Sequence, residues 1–260
     1  MIFENMKRYL LCLSYDGSSF YGWQKQPFIR TVQGELETAL GEIAKTPVKT
    51  AGSSRTDTGV HAICQFSHFD FPIDMTPRQM RLALSSKLPK DIKINQTYTV
   101  DSEFHSRFQA VGRSYRFEIT KELTPFNRRY KSYFPRYQVN TDNIRSCLHL
   151  FKGKNNFEYF SRKDENLVNY LSEIKEIDFV ENDEDYIFSI TADRFLHNMV
   201  RRIVGTMVKL STKDDLKEII NQLLSKNRDY LHLVYTAPPQ GLYLTKVFYP
   251  ETEKMNWRYE

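Results

Sequence analysis

Arg55-Thr56-Asp57-Thr58-Gly59-Val60-His61-Ala62 sets one carboxylate between a guanidinium and a glycine, at the join of two strand-like stretches. An opposite charge two residues away is suited to keep Asp57 ionised and to fix its direction. Gly59 permits a sharp turn that exposes a side chain to a ligand. By itself, an Arg-x-Asp-x-Gly string is more often an ion-paired β-turn than a place of chemistry, so its meaning depends on the surrounding chain.

Upstream, residues 7–15 alternate, with Leu11, Leu13 and Tyr15 on one face, and then enter a polar, glycine-bearing loop. Val32, Leu36, Ala39, Leu40 and Ile43 recur at helical spacing behind Thr31, which predicts a helix with Thr31 as its N-cap. A further strand ends near Ser53. Downstream, residues 62–71 read as a strand and 77–88 as a helix closed by Pro89. The theme repeats as strands over 113–120 and 186–191 and a helix over 141–151. A helical stripe of Leu196, Met199, Val200, Ile203, Val204, Met207 and Val208 follows, with His197 and Arg201 at its edge.

This order predicts an α+β architecture of two related antiparallel-sheet halves with helices packed on the outside. The expected halves are residues 1–103, carrying Asp57, and 104–260, carrying the basic surface, with a cleft between them.

A chain of 260 residues, 40% hydrophobic and 27% charged, has ordinary globular composition. No run approaches the roughly eighteen apolar residues of a membrane span, and no long apolar leader opens the sequence, so a cytoplasmic location is expected. Cys12, Cys64 and Cys147 lack C-x-x-C spacing and read as buried thiols.

The net charge of +5 is unevenly spread. Residues 107–136 hold eight bases against two acids, net +6, and residues 173–185 hold seven acids against one lysine, net −6. Phe108, Tyr115, Phe117, Phe126, Tyr130, Tyr133, Phe134 and Tyr137 interleave the basic run. Arginines for phosphates and flat rings for unstacked bases suit single-stranded or loop RNA. For any one of these residues, a solvated strand face or a place in the core is the plainer account.

His61, Cys64, His68 and Asp70 crowd one strand, but His61 and His68 are an odd number of residues apart and point to opposite faces. They read as structural, and no metal is expected. No G-x-G-x-x-G or G-x-x-x-x-G-K-[ST] loop occurs, so no nucleotide cofactor is expected either.

The ordered blocks Tyr15-Asp-Gly, Gly22-Trp-Gln, Thr31-Val-Gln, Arg55 to His61, Phe104-His-Ser-Arg-Phe, Arg113-Ser-Tyr-Arg, Asn156-Phe, Phe195 to Gly205 and Gly241-Leu-Tyr-Leu span nearly the whole chain. In this order they resemble the tRNA pseudouridine synthases of the A type. The resemblance implies their ferredoxin-like or RRM-like fold. It also implies isomerisation of uridine to pseudouridine in the anticodon stem-loop of tRNA (positions 38–40), commonly by a homodimer and without metal or cofactor.

Carried over by position, Asp57 is the catalytic aspartate, acting as nucleophile or as acceptor of a sugar proton, with Arg55 as its orienter. Tyr115 stacks on the target base and assists removal of the C5 proton. Arg201 pairs with Asp57 or a phosphate, and Leu244 walls the uracil pocket. Arg107, Arg113 and Arg116 are the expected RNA contacts, and their phosphate contacts would offset the cost of flipping the base out of its stack. Ser54 stands where the family usually has glycine, Thr58 where it has alanine, and residues 166–179 carry acids in place of a threonine-x-arginine pattern. Two alternatives remain at this level: an RNA-binding or folding module without catalysis, and hydrolysis of a nucleoside bond by the same carboxylate.

Overall fold

The alternation that begins at Lys7 folds as strand β1 (Lys7–Tyr15), with Tyr9, Leu11, Leu13 and Tyr15 buried. In the computed structural model, which describes residues 6–165, 167–254 and 257–258, the chain divides into two units. Unit 1 comprises Met1–Val111 with Leu244–Glu260, and unit 2 comprises Gly112–Tyr243.

In unit 1, β1 pairs antiparallel with β3 (His61–Phe71), Leu10 opposite His68 and Leu13 opposite Gln65. Its other edge pairs antiparallel with β4 (Ile92–Thr99). The strand expected to end near Ser53 is only two residues long, β2 (Ala51–Gly52), and it joins β3 at His68 and Ser67. On the far side of β3 lies β9 (Leu242–Phe248), whose residues from Leu244 onward belong to this unit. The register of β1 against β3 slips between Leu13 and Tyr15. A bulge of this kind bends a strand and re-aims its side chains, here at the point where the chain enters the loop that follows.

Helix α1 (Val32–Ala44) starts at Thr31, whose hydroxyl accepts the Gly34 N–H. Helix α2 (Pro77–Lys87) has a reciprocal Thr76/Gln79 capping box and proline in its first turn. Helix α2 packs on β4, and α1 packs on α2. Val32, Leu36 and Leu40 of α1 and Met80 and Leu84 of α2 are fully buried, each contributing about 1.5–3 kcal/mol through removal of apolar surface from water. Elsewhere in unit 1, Arg8 grips Asp70 with two hydrogen bonds of 2.7 Å, and Phe66, Phe104, Tyr249 and Trp257 pack ring against ring.

Unit 2 has the strand order β5 (Gly112–Thr120), β8 (Asp185–Ala192), β7 (Leu171–Glu181), β6 (Gly153–Asn156). These pairs are antiparallel, with Tyr115 opposite Ile190. The helix expected over 141–151 is α-helical only as α3 (Thr141–Cys147) and tightens into a 3-10 turn over Leu148–Phe151. Helices α4 (Met199–Leu210) and α5 (Leu216–Leu224) complete the unit, and α4 packs against β5. Both units thus combine antiparallel strands with packed helices, as the order of elements predicts.

The apolar stripe of α4 is buried as expected, but its start is not where the spacing put it. Asn198 adopts φ 65°, a left-handed conformation that asparagine tolerates, so the helix begins at Met199 and His197 lies exposed before it. The acidic run over 173–185 is the β7–β8 hairpin. Glu181 pairs with Lys121 at 2.9 Å and Asp185 pairs with Lys131, so part of the acidic segment neutralises part of the basic one. Asn166, the first residue of the departure noted above, lies outside the described residues.

Of the three cysteines only Cys147 is fully buried. Cys12 and Cys64 are half-buried with their sulfurs 3.2 Å apart, and the bond between them lowers the Cys64 thiol and raises that of Cys12. Among the described residues no helix is long and apolar enough to cross a membrane.

Candidate active site

Residues 53–60 cross the ends of β1 and β3 as a loop without regular hydrogen bonding, and a second segment of unit 1 fixes them atom by atom. The chain after β1 runs alongside this loop. Trp23 donates its backbone N–H to Thr56 O (3.1 Å), and Gly59 donates to Phe20 O (3.2 Å). Val60 N–H closes the turn onto Asp57 O at 3.1 Å, with Gly59 at φ 77°. Only glycine adopts that angle without strain.

Two further glycines permit the close approach. A Cβ on Gly17 would lie 2.0 Å from Val60 O, and one on Gly22, itself at φ 84°, would lie 2.6 Å from Thr56 O and 3.2 Å from the carbonyl carbon of Asp57. The Tyr15-Asp-Gly and Gly22-Trp-Gln blocks therefore serve the Asp57 loop. They read from spacing alone as the end of a strand and an open loop, and they are bracing.

Side chains complete the support. The Tyr15 hydroxyl and Thr56 Oγ1 are 2.7 Å apart and buried. Gln65, fully buried on β3, accepts from Ser53 Oγ (2.7 Å) and Ser54 N (3.2 Å) and donates to Ser54 O (2.7 Å). Trp23 fills the space beneath, against Gly52, where a Cβ would meet its ring at 2.5 Å. His61 accepts the Gly17 N–H at Nδ1 (3.0 Å). Sequence spacing singled out neither Tyr15, Thr56, Trp23 nor Gln65 for this role.

Asp57 is half-buried on this fixed backbone, and Thr58 beside it is exposed. Ser54, where glycine is usual, has no positive φ and carries its Cβ without strain. Arg55 is exposed, and among the described residues its guanidinium has no hydrogen bond or ion pair with Asp57.

In unit 1, Leu244 is fully buried on β9, and Arg107 is exposed on the loop after β4, its N–H donated to His105 Nδ1 at 3.2 Å. In unit 2, Tyr115 is 8% exposed on β5, its ring edge-to-face with Phe195 at 4.9 Å.

Strand alternation sorts the β5 arginines. Arg113 shares the parity of Tyr115, and one of its amino groups donates to Asp193 O at 3.2 Å. Arg116 has the opposite parity, lies 2.7 Å from Glu118 and sits over the Tyr243 ring. Arg201 on α4 is held by Ala237 O (2.8 Å) and Asn198 Oδ1 (2.9 Å). Gly205, one turn on, lets residues 235–237 cross the helix, since a Cβ there would lie 2.5 Å from Tyr235 O.

The odd spacing does not separate His61 from His68 as expected, because the register slip from Leu13 opposite Gln65 to Tyr15 opposite Ala62 adds one residue of β3 between them. Among the described residues no cluster of three metal-ligating side chains occurs. A fixed, half-buried carboxylate is equipped to attack an electrophilic carbon or to take a proton.

Comparison with known proteins places this chain among relatives of one kind. A family model described as tRNA pseudouridine synthase matches residues 11–109 and 148–250. The tRNA pseudouridine synthase A of Geobacillus sp. (strain WCH70) is 38% identical over 94% of this chain and 98% of its own length. Those of Listeria monocytogenes (serovar 1/2a) and Exiguobacterium sibiricum are 38% and 36% identical, covering 94% and 96% of this chain and 100% and 99% of their own. Among solved structures, a Cbf5-Nop10-Gar1 complex is a remote likeness, 9% identical with a TM-score of 0.37 over 94% of this chain and 59% of that one.

Proposed function

We propose that this chain, which belongs to the tRNA pseudouridine synthase family, isomerises uridine to pseudouridine in tRNA, with Asp57 as the group that starts the reaction. The observation that carries this assignment is the bracing of the loop that bears Asp57, through hydrogen bonds to Phe20, Trp23 and Gln65, while Asp57 itself stays half-buried. Such preorganisation is what a positioned nucleophile needs. The N1–C1′ bond breaks, the freed uracil turns, and C5 bonds to C1′. The C5 proton is lost and N1 gains one, so no atoms or electrons are exchanged with a cofactor. Asp57 attacks C1′ or takes the C2′ proton, and Tyr115 stacks on the uracil and takes part in removing the C5 proton.

A uridine within a stem must leave its stack to be reached, at a cost of a few kcal/mol. The exposed Arg55 and Arg107 are placed to meet phosphate and offset that cost. Arg113 and Arg201 hold the strand and helix that present unit 2 to RNA, and Leu244 supplies an apolar wall to the base. The anticodon stem-loop as target, a homodimeric state and action in the cytoplasm belong to the same proposal.

Release of tritium from tRNA labelled at uridine C5 tests it. The parent chain releases tritium and Asp57→Ala does not, while both bind tRNA. Free uracil among the products would identify hydrolysis instead. Tritium release by Asp57→Ala would remove Asp57 from its role.

A further inference from the structure

Phe126 is 90% exposed, among the most exposed large apolar side chains described, yet it sits on one of the better-fixed turns of unit 2. Asn127 Oδ1 accepts the Thr124 N–H (2.8 Å), and its amide group donates to Glu122 O (2.9 Å) and Thr120 Oγ1 (3.3 Å). Arg128 N–H returns to Thr124 O, and Tyr130 and Lys131 N–H both return to Asn127 O. The Tyr243 hydroxyl holds Tyr130 O at 2.6 Å, and Ser132 pairs with Glu118 and Thr120 of β5 through their backbones. Leaving a phenyl ring in water is unfavourable, and a mobile loop would let it fold back. Here the backbone holds it out.

The charges around it are one-sided. Residues 121–136 contain five bases and a single acid, Glu122. Lys121 and Lys131 are committed to Glu181 and Asp185 of the acidic hairpin. Arg128 and Arg129 remain exposed two and three residues from the ring, and among the described residues Arg128 has no ion pair. A flat apolar ring beside an uncommitted guanidinium matches one nucleotide, with stacking surface for the base and a cation for its phosphate. It does not match a second copy of the same surface, because an isologous contact would bring like arginines together.

We infer that Phe126 is a stacking platform for an unpaired base of the RNA substrate, with Arg128 meeting the adjoining phosphate. The inference rests on tRNA being the substrate. It adds a docking point on unit 2 that takes no part in the chemistry at Asp57.

The test measures tRNA affinity in an Asp57→Asn background, so that no turnover intervenes, across a range of salt. Phe126→Ala weakens binding about tenfold, as expected for one lost base stack, with an unchanged salt slope. Phe126→Trp restores the affinity, and its added indole emission is quenched by tRNA relative to the Phe126 parent. Arg128→Ala lowers the salt slope by about one.

Three results would overturn the inference. Phe126→Ala could bind tRNA as tightly as its parent while the wild-type chain still releases tritium from tRNA. The added emission of the Phe126→Trp variant could be indifferent to tRNA. Phe126→Ala could change the sedimentation mass and leave affinity untouched, which would make the ring a protein contact. Absence of any tRNA binding by the wild-type chain would instead remove the substrate assignment, and this inference with it.

Discussion

The hydroxyl of Tyr15 lies 2.7 Å from Thr56 Oγ1, joining the end of β1 to the residue before Asp57 inside the protein. Both groups are buried, so neither has water to replace a lost partner. The contact sits one residue before Asp57 and ties its loop to the end of β1.

Tyr15→Phe removes one partner and leaves the other hydroxyl unsatisfied. It is expected to cost about 1–2 kcal/mol in urea unfolding. Because the carboxylate rides on the same peptide, kcat for tritium release falls about tenfold with little change in KM. Parent-like kcat and stability together would show that the bond positions nothing.

Gly17→Ala places a methyl group 2.0 Å from Val60 O, a backbone atom that cannot swing away. The loop or β1 must shift, with an expected loss of at least about 2 kcal/mol and most of the activity. Gly153→Ala is the control. At φ +85° with nothing within 4 Å, it carries backbone strain alone, about 1 kcal/mol, and keeps full activity. Equal activity of the two variants would refute the packing account.

Gln65→Leu fills similar space but removes the groups that bond the Ser54 backbone and the acceptor of the Ser53 hydroxyl. Orphaned groups of this kind cost about 1–3 kcal/mol, and the loop entering Asp57 loosens. Thermal unfolding and kcat both drop, whereas Gln65→Glu, which keeps the acceptors, loses less of each. If the leucine variant is the more active of the two, Gln65 is not a loop anchor.

The imidazole of His68 titrates at about 4, held down by burial and then by the charges of His105 and Arg8. Its Nδ1 accepts the Ser106 N–H at 3.2 Å, a bond that the neutral ring makes. In the unfolded chain the ring binds a proton near its ordinary value of 6.5. Between those limits the unfolded state holds more protons, so the stabilisation is complete above pH 6.5 and is lost as pH falls toward 4. After allowance for solvent screening the loss is on the order of 2 kcal/mol. His105, also shifted down by burial and by Arg8, adds in the same direction. Urea midpoints at about pH 7.5, 6 and 5 should fall steadily for the parent and less for His68→Gln. Identical acid limbs would exclude His68 as the source.

Much of the fold was legible before any coordinates because its signals are local. Thr31 and Thr76 cap the helices they precede, since a hydroxyl three residues from an open N–H reaches it in any context. The alternation of β1 and the stripe of α4 record which face must leave water. Asp57 was legible for a different reason: the ordered blocks around it resemble a known family.

What the sequence could not supply are relations between residues far apart along it. Nothing in the spacing of Tyr15 and Thr56, or of Gly17 and Val60, shows that they touch, because those contacts exist only once β1 and β3 are in register. Nor does nearness in sequence guarantee contact: Arg55 is two residues from Asp57 and makes no ion pair with it, while Lys121 finds Glu181 sixty residues away. Local propensity decided the elements, and the family resemblance named the carboxylate. The tertiary structure alone decided what holds that carboxylate still, because a fixed position is a property of packing from several sides at once.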